Sequence, residues 1–187
     1  QIKKVKKIVN PSLSILYDTK EFLTDVLTDN KINTEIDRSD WFNTIEKWKN
    51  KFPFFYKPSE KGIPKTQEVI KKLYSFVNNN NLNDDMIITT GVGNHQMMSA
   101  QFYRWSKPRS ILTSGSAGVM GAGLPFAVGA QIANPDKTVV LIDGDGSFNM
   151  TFNDLGTVAE RNLPLKMIIL NDNRQQMVHV WQKLFFN

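Results

Sequence analysis

Two apolar runs in this sequence end abruptly in acids, and those acids are the residues best placed to do chemistry. Val139, Val140, Leu141 and Ile142 empty into Asp143, Gly144, Asp145, Gly146 and Ser147; Met167 to Leu170 empties into Asn171, Asp172, Asn173 and Arg174. Asp at a strand end can be plain turn chemistry, since its side chain bonds the local backbone and a neighbouring Gly supplies positive φ. Carboxylates from two strand ends can also hold Mg²⁺, which takes oxygen ligands octahedrally and shares its sphere with substrate phosphates. Asp145 and Asp172 are 27 residues apart (172 − 145), about one strand–helix–strand crossover, so adjacent parallel strands would bring both to one edge. That pair reads as a metal site, and Asp143 reads as turn. Gly144 and Gly146 would let the backbone approach a diphosphate, and a helix start near Thr151 would add a favourable dipole.

The elements that must position these acids recur in order. "MIITTGVGNHQMMSAQFYRW" reads as strand, glycine turn, helix; "SILTSGSAGVMGAGLPFAVGAQIANP" and "TVVLIDGDGSFNMTFNDLGTVAERNLP" repeat the order, and "LKMIILNDNRQQMVHVWQKLF" begins it again. This pattern predicts an α/β fold, a doubly wound parallel sheet with helices on both faces. Ligands of such sheets sit beyond the carboxyl ends of the strands. The unusual loops, 91–96, 114–121, 143–147 and 171–176, all fall at that edge. Upstream, "SDWFNTIEKWKNKF" predicts a helix capped by Ser39 with Trp41, Ile45 and Trp48 on one stripe, and "TQEVIKKLYSFV" predicts a second amphipathic helix. The proline-rich stretch between them reads as a linker or wrapping loop. The resulting division is 1–36 as the tail of a preceding domain, 37–85 as linker and helices, and 86–187 as the sheet domain, truncated at its C-terminal end.

Composition narrows the chemistry. With no cysteine and two histidines among 187 residues, thiolate chemistry is excluded and zinc has little to hold it. No apolar run approaches the length of a membrane span, and no targeting segment shows at the start. The net charge is +5, but the basic opening "QIKKVKKIVN" has no nucleic-acid motif beside it and reads as a solvated face. Neither nucleic acid nor membrane is expected as a partner. The chain begins at Gln1 and stops after "KLFF", so it reads as a piece of a longer polypeptide.

"GDGSFN" followed by "LNDN" resembles the cofactor motif of thiamine diphosphate enzymes. Together with "TTGVGNHQM", "TSGSAGVMGAGLPFAVGAQIANP" and "MVHVWQKLFF", it resembles the catalytic subunit of the acetolactate (acetohydroxyacid) synthase family from about Trp41 onward. The resemblance implies thiamine diphosphate and Mg²⁺ as cofactors, and FAD in the full-length enzyme. It implies Asp145 and Asp172 as metal ligands, with Arg174 offering its backbone carbonyl. Gly93, Asn94, His95 and Gln96 would wrap the diphosphate beside Gly144, Gly146 and Ser147. Gly118 and Met120 would receive the aminopyrimidine, with an apolar side chain bending the cofactor. Met177, Val178 and Trp181, within one helical turn, would line the substrate pocket, Met177 also touching the cofactor. Three plainer readings compete: Asn94 as a helix cap, Met120 as core, and the Met177–Trp181 stripe as core.

The implied reaction decarboxylates pyruvate and joins the retained unit to a second 2-keto acid such as 2-ketobutyrate, in branched-chain amino-acid synthesis. The resemblance puts the activating glutamate in another domain, so no catalytic residue is assigned and these residues alone are expected to be inactive. Neither His95 nor His179 is given a base role, having no acid partner placed by sequence. A homodimer or higher oligomer is implied, with a regulatory subunit as a further partner. The wording of "TTGVGNHQM" tilts the compartment toward a mitochondrion or plastid, with the cytoplasm as the alternative. Asp172 stands where the family has Asn, Asn94 where it has Gln, and Met98 where it has Trp. Ser116, Ala117 and Gln176 are further departures. The alternatives are another decarboxylase, lyase or oxidase using the same cofactor, and a non-catalytic module holding Mg²⁺ and diphosphate.

Overall fold

The computed structural model describes residues 10–29, 35–59 and 62–186; the basic run of residues 1–9 lies outside them. The chain divides into two compact units, Gln1–Pro53 and Phe54–Asn187.

The first unit contributes two helices. In α1 (Thr19–Thr28), Asp18 caps the start by accepting from the backbone N–H groups of Lys20 (2.9 Å) and Glu21 (3.2 Å), as an N-cap carboxylate should. In α2 (Ser39–Lys51), Trp41 and Trp48 meet edge to face at 5.6 Å. Ser39 is not its cap. It is the first helical residue, and Asp37 takes both its backbone N–H (2.8 Å) and its hydroxyl. The hydroxyl bond, then the backbone bond, hold the Asp37 carboxyl below its ordinary pKa.

The second unit is the sheet domain. Helix α3 (Thr66–Asn79) leads to β1 (Met86–Thr90), α4 (Asn94–Phe102), β2 (Ile111–Leu112), α5 (Gly123–Ala133) and β3 (Thr138–Gly144). Then come α6 (Asp145–Phe148), α7 (Leu155–Glu160), β4 (Lys166–Leu170) and α8 (Gln176–Phe185). The four strands are parallel in the order β2-β1-β3-β4. This is the expected α/β architecture. The chain goes outward from β1 to β2 and returns across β1 to lay down β3, so the winding reverses between β1 and β3.

Alternation along the central strands feeds two cores. Met86, Ile88, Val140 and Ile142 face Ile70 and Val77 of α3 with Phe102 and Tyr103. Ile87, Val139 and Leu141 face Leu124, Ala127 and Ala130 of α5. Burial on both faces explains the apolar runs Met86–Ile88 in β1 and Val139–Ile142 in β3. Each fully buried Ile or Leu contributes about 1.5–3 kcal/mol, so β1 and β3 are the anchored pair. Helix α5 sits close to the sheet because Gly123 has no side chain: a Cβ there would lie 2.6 Å from the Gly91 nitrogen. The Thr89 hydroxyl donates to the Gly123 carbonyl at 3.1 Å, closing that contact.

A second local expectation is corrected. The helix after β3 begins at Asp145 rather than near Thr151, and it runs in pieces, 145–148, a 3₁₀ turn at 152–154, then 155–160. The Thr151 hydroxyl donates to the Gly121 carbonyl at 2.8 Å, which ties this break to the loop before α5.

Candidate functional site

The site builds from the last pair of the β1–β3 ladder, Thr90 opposite Ile142. One step further, Gly91 comes opposite Asp143, where the strands open into loops. Asp143 is fully buried. Its Oδ1 accepts the Gly144 N–H at 3.0 Å, the turn bond expected of it, and stands 3.0 Å from His95 Nε2. That approach lies off the ring's N–H direction, so Nε2 makes no aligned hydrogen bond; Asp143 Oδ2 and the Thr90 hydroxyl are likewise buried without a partner. The sequence gives His95 no acid partner, and the fold supplies one. Only the strand order could have revealed it, because 48 residues separate the two (143 − 95).

Glycines make the room. A Cβ on Gly91 would overlap the Asp143 carboxylate and the Ser147 hydroxyl, and one on Gly123 would lie 2.8 Å from Asp143 Oδ2. A Cβ on Gly93 would meet His95 Cε1 at 2.9 Å and Nδ1 at 3.0 Å, and one on Gly144 would meet Nδ1 at 2.9 Å. His95 thus has its Nε2 edge toward the core and its Nδ1 edge between the two glycines. Ser147, buried, accepts the Gly121 N–H on its Oγ at 3.0 Å. Three of the four loops singled out in the sequence therefore converge on Asp143, His95 and Ser147.

The fourth loop arrives over α6. A Cβ on Gly146 would lie 2.6 Å from the Gln175 amide nitrogen, and Gly144 pairs with Leu170 in the β3–β4 register. Asp145 is half-buried, and no hydrogen bond or ion pair among the described residues engages its carboxylate. Asp172 is exposed; its Oδ1 accepts the Arg174 N–H at 3.1 Å, and Asn173 between them takes the left-handed conformation (φ 56°). Among the described residues no three His, Asp or Glu side chains converge as a metal cage. A pair of carboxylates completed by a backbone carbonyl and substrate phosphates needs none.

Other expected residues sit at the margins. Gly93 is the N-cap of α4, so Asn94 is its first helical residue and not its cap. Gln96 donates to the Thr113 hydroxyl at 2.6 Å, tying α4 to the end of β2. Gly118 is left-handed (φ 61°) and exposed, and Met120 is half-buried just before Gly121. On α8, Met177 is half-buried, whereas Val178 and Trp181 are 55% and 59% exposed. Trp181 packs on Phe185 at 4.9 Å, and His179 Nε2 faces Arg174 Nη1 at 3.1 Å. Trp181 is not core in this unit. A separate cavity of about 300 Å³ between β2 and α5, lined by Leu112, Thr113, Pro125, Phe126, Gly129 and Ala130, offers no charged group to a phosphate.

Residues 91–187 match the C-terminal TPP binding domain of thiamine pyrophosphate enzymes. The chain belongs to that family. Within it, the chain is 44% identical over 188 residues to the mitochondrial acetolactate synthase of Schizosaccharomyces pombe. It is 42% identical over 185 residues to the mitochondrial catalytic subunit of Saccharomyces cerevisiae, and 39% over 180 residues to the large subunit of Lactococcus lactis. These alignments take in 96–98% of this chain but 26–30% of the relatives' length. The chain thus spans little more than a quarter of the proteins it matches. For a thiamine pyrophosphate enzyme the loops fit the cofactor's charged end. Glycines with no room for a Cβ, and the Nδ1 edge of His95 between two of them, lie at the winding reversal, where open α/β sheets take their ligands.

Proposed function

We propose that this chain is the part of an acetolactate synthase that holds the diphosphate and Mg²⁺ of thiamine diphosphate. The observation that carries the reading is the convergence of Gly93, His95, Gly144 and Ser147 at the β1–β3 reversal, with Asp145 unengaged beside them. The acetolactate synthase relatives, similar along nearly the whole chain, support the specific activity. Asp145 and Asp172 would supply oxygen ligands, and the Arg174 carbonyl a third. Gly93, Asn94, His95 and Gln96 would line the diphosphate opposite Gly144 and Gly146. Gly118 and Met120 would meet the aminopyrimidine, and Met177, Val178 and Trp181 would border the substrates.

When bound, thiamine diphosphate supplies the carbanion chemistry of decarboxylation and carbon–carbon bond formation. The chain's residues bind and orient its charged end. Pyruvate is the proposed donor, with pyruvate or 2-ketobutyrate as acceptor. FAD, a homodimer or higher oligomer and a regulatory subunit belong to the same proposal. So does an organellar compartment, as in the relatives named mitochondrial or chloroplastic.

Calorimetry on the intact protein tests the metal pair. Asp145→Ala should abolish Mg²⁺-dependent binding of thiamine diphosphate, whereas Asp172→Asn should bind within about threefold of the wild type, since an amide oxygen also suits a hard cation. Unchanged affinity in Asp145→Ala overturns the assignment.

A further inference from the structure

Asp143 is a buried carboxylate that no lysine or arginine pairs with among the described residues; its ion-pair contact is with His95. Burying a charge is costly unless it is paired and hydrogen-bonded, yet Gly91 and Gly123 leave space that a Cβ on either would take from this carboxylate. A turn at the end of β3 needs only the bond from Gly144, which an exposed Asp or Asn makes equally well. The buried carboxylate adds a fixed acceptor against one edge of an imidazole. Which nitrogen of a histidine faces a ligand is set by what the other nitrogen meets.

We propose that Asp143 is a positioning residue that acts through His95. It holds the ring with Nε2 toward the core and presents Nδ1, in the cleft between Gly93 and Gly144, to an anionic phosphate group. With Nε2 held toward Asp143, Nδ1 is the ring atom left to meet a phosphate oxygen. The 3.0 Å approach to Asp143 straightens into an aligned bond when an anion engages the opposite edge. This inference rests on the proposed cofactor site but assigns a role to a residue outside its ligand set.

A double-mutant cycle on the intact protein tests it, with Mg²⁺ and thiamine diphosphate as the probe and calorimetry as the readout. Asp143→Ala should weaken binding about tenfold, the usual scale for losing a partner that orients a ligand. His95→Gln should cost at least as much. In the His95→Gln background, Asp143→Ala should add less than about twofold, because contacts acting through one group are non-additive. Equal losses in both backgrounds overturn the inference, as does no loss in either.

Nitrogen NMR of the His95 ring gives a readout that needs no folded alanine variant. The wild type should show Nε2 protonated without ligand, and Nδ1 should shift when the probe binds. Asp143→Asn, which keeps the shape and an acceptor, should preserve that pattern and bind within about threefold of the wild type. An unprotonated Nε2, or an Nδ1 signal indifferent to saturating probe, overturns the inference. A wild type that binds no thiamine diphosphate overturns the site reading and this inference together; binding without coupling overturns this inference alone.

Discussion

Gly91 lies one step beyond the Thr90–Ile142 pair, directly opposite Asp143, and a Cβ built on it would overlap the Asp143 carboxylate. That one missing side chain lets the end of β1 close on the end of β3. Gly91 is itself buried, so a methyl group there has no solvent to move into.

Gly91→Ala should therefore destabilise the fold by about 1–3 kcal/mol, the usual cost of overpacking a core. Gly129 is the control. It lies in α5, and a Cβ added to it would meet nothing within 4 Å. Gly129→Ala should stabilise by about 0.5–1 kcal/mol through helix propensity. Urea denaturation midpoints of both variants check the pair. If Gly91→Ala unfolds at the wild-type midpoint, the close contact is not rigid.

The sheet was legible because its signals are local. Short apolar runs at β1 and β3, closely followed by glycine turns, indicate buried strands whatever surrounds them. That Asp145 and Asp172 follow neighbouring parallel strands was legible for a similar reason: each follows its strand closely, and one crossover separates them. The His95–Asp143 approach was not legible, because it depends on β3 inserting next to β1 rather than beside β2.

Competing side chains account for the local misses. Asp37 takes the hydroxyl that was to make Ser39 a cap, and Thr151 turns to Gly121 instead of starting a helix. The Met177–Trp181 stripe shows the limit of periodicity, which reports that a helix is two-faced but not how deeply either face is buried.

Tyr103 gives the fold a dependence on alkaline pH. Its ring is 7% exposed and packs against Tyr74 at 5.5 Å and Trp105 at 4.6 Å. Burial first, and the neighbouring Tyr74 second, push its hydroxyl above the ordinary value. The charged form is the phenolate, so the folded state holds the proton more tightly than the unfolded chain. This contribution is fully present below the unfolded value of about 10 and is lost as pH rises through the higher folded value. In an alkaline absorbance titration, one of the four tyrosines should ionise late, as folded signal is lost. Tyr103→Phe should remove that phase and leave stability at neutral pH little changed. A titration curve that Tyr103→Phe leaves unaltered, minus one ordinary tyrosine, contradicts the assignment.

Trp181 separates a pocket wall from a packing residue. It is 59% exposed, and its ring contact is with Phe185 on the same helix. A buried Trp or Phe truncated in a core costs about 3–5 kcal/mol, whereas losing an aromatic pair at an exposed site costs about 0.5–1.5 kcal/mol. Trp181→Leu in the intact protein should therefore shift the melting temperature only slightly. If the residue borders the substrates, the same variant should change the product ratio when pyruvate and 2-ketobutyrate compete, because a different side-chain volume discriminates 2-keto acids that differ by one methylene. One methylene is worth about 1–3 kcal/mol in an apolar pocket, so a ratio change of about tenfold or more is expected, with thiamine diphosphate affinity unaltered. A melting temperature that falls as for a core truncation, with an unchanged product ratio, makes Trp181 a packing residue and removes it from the site.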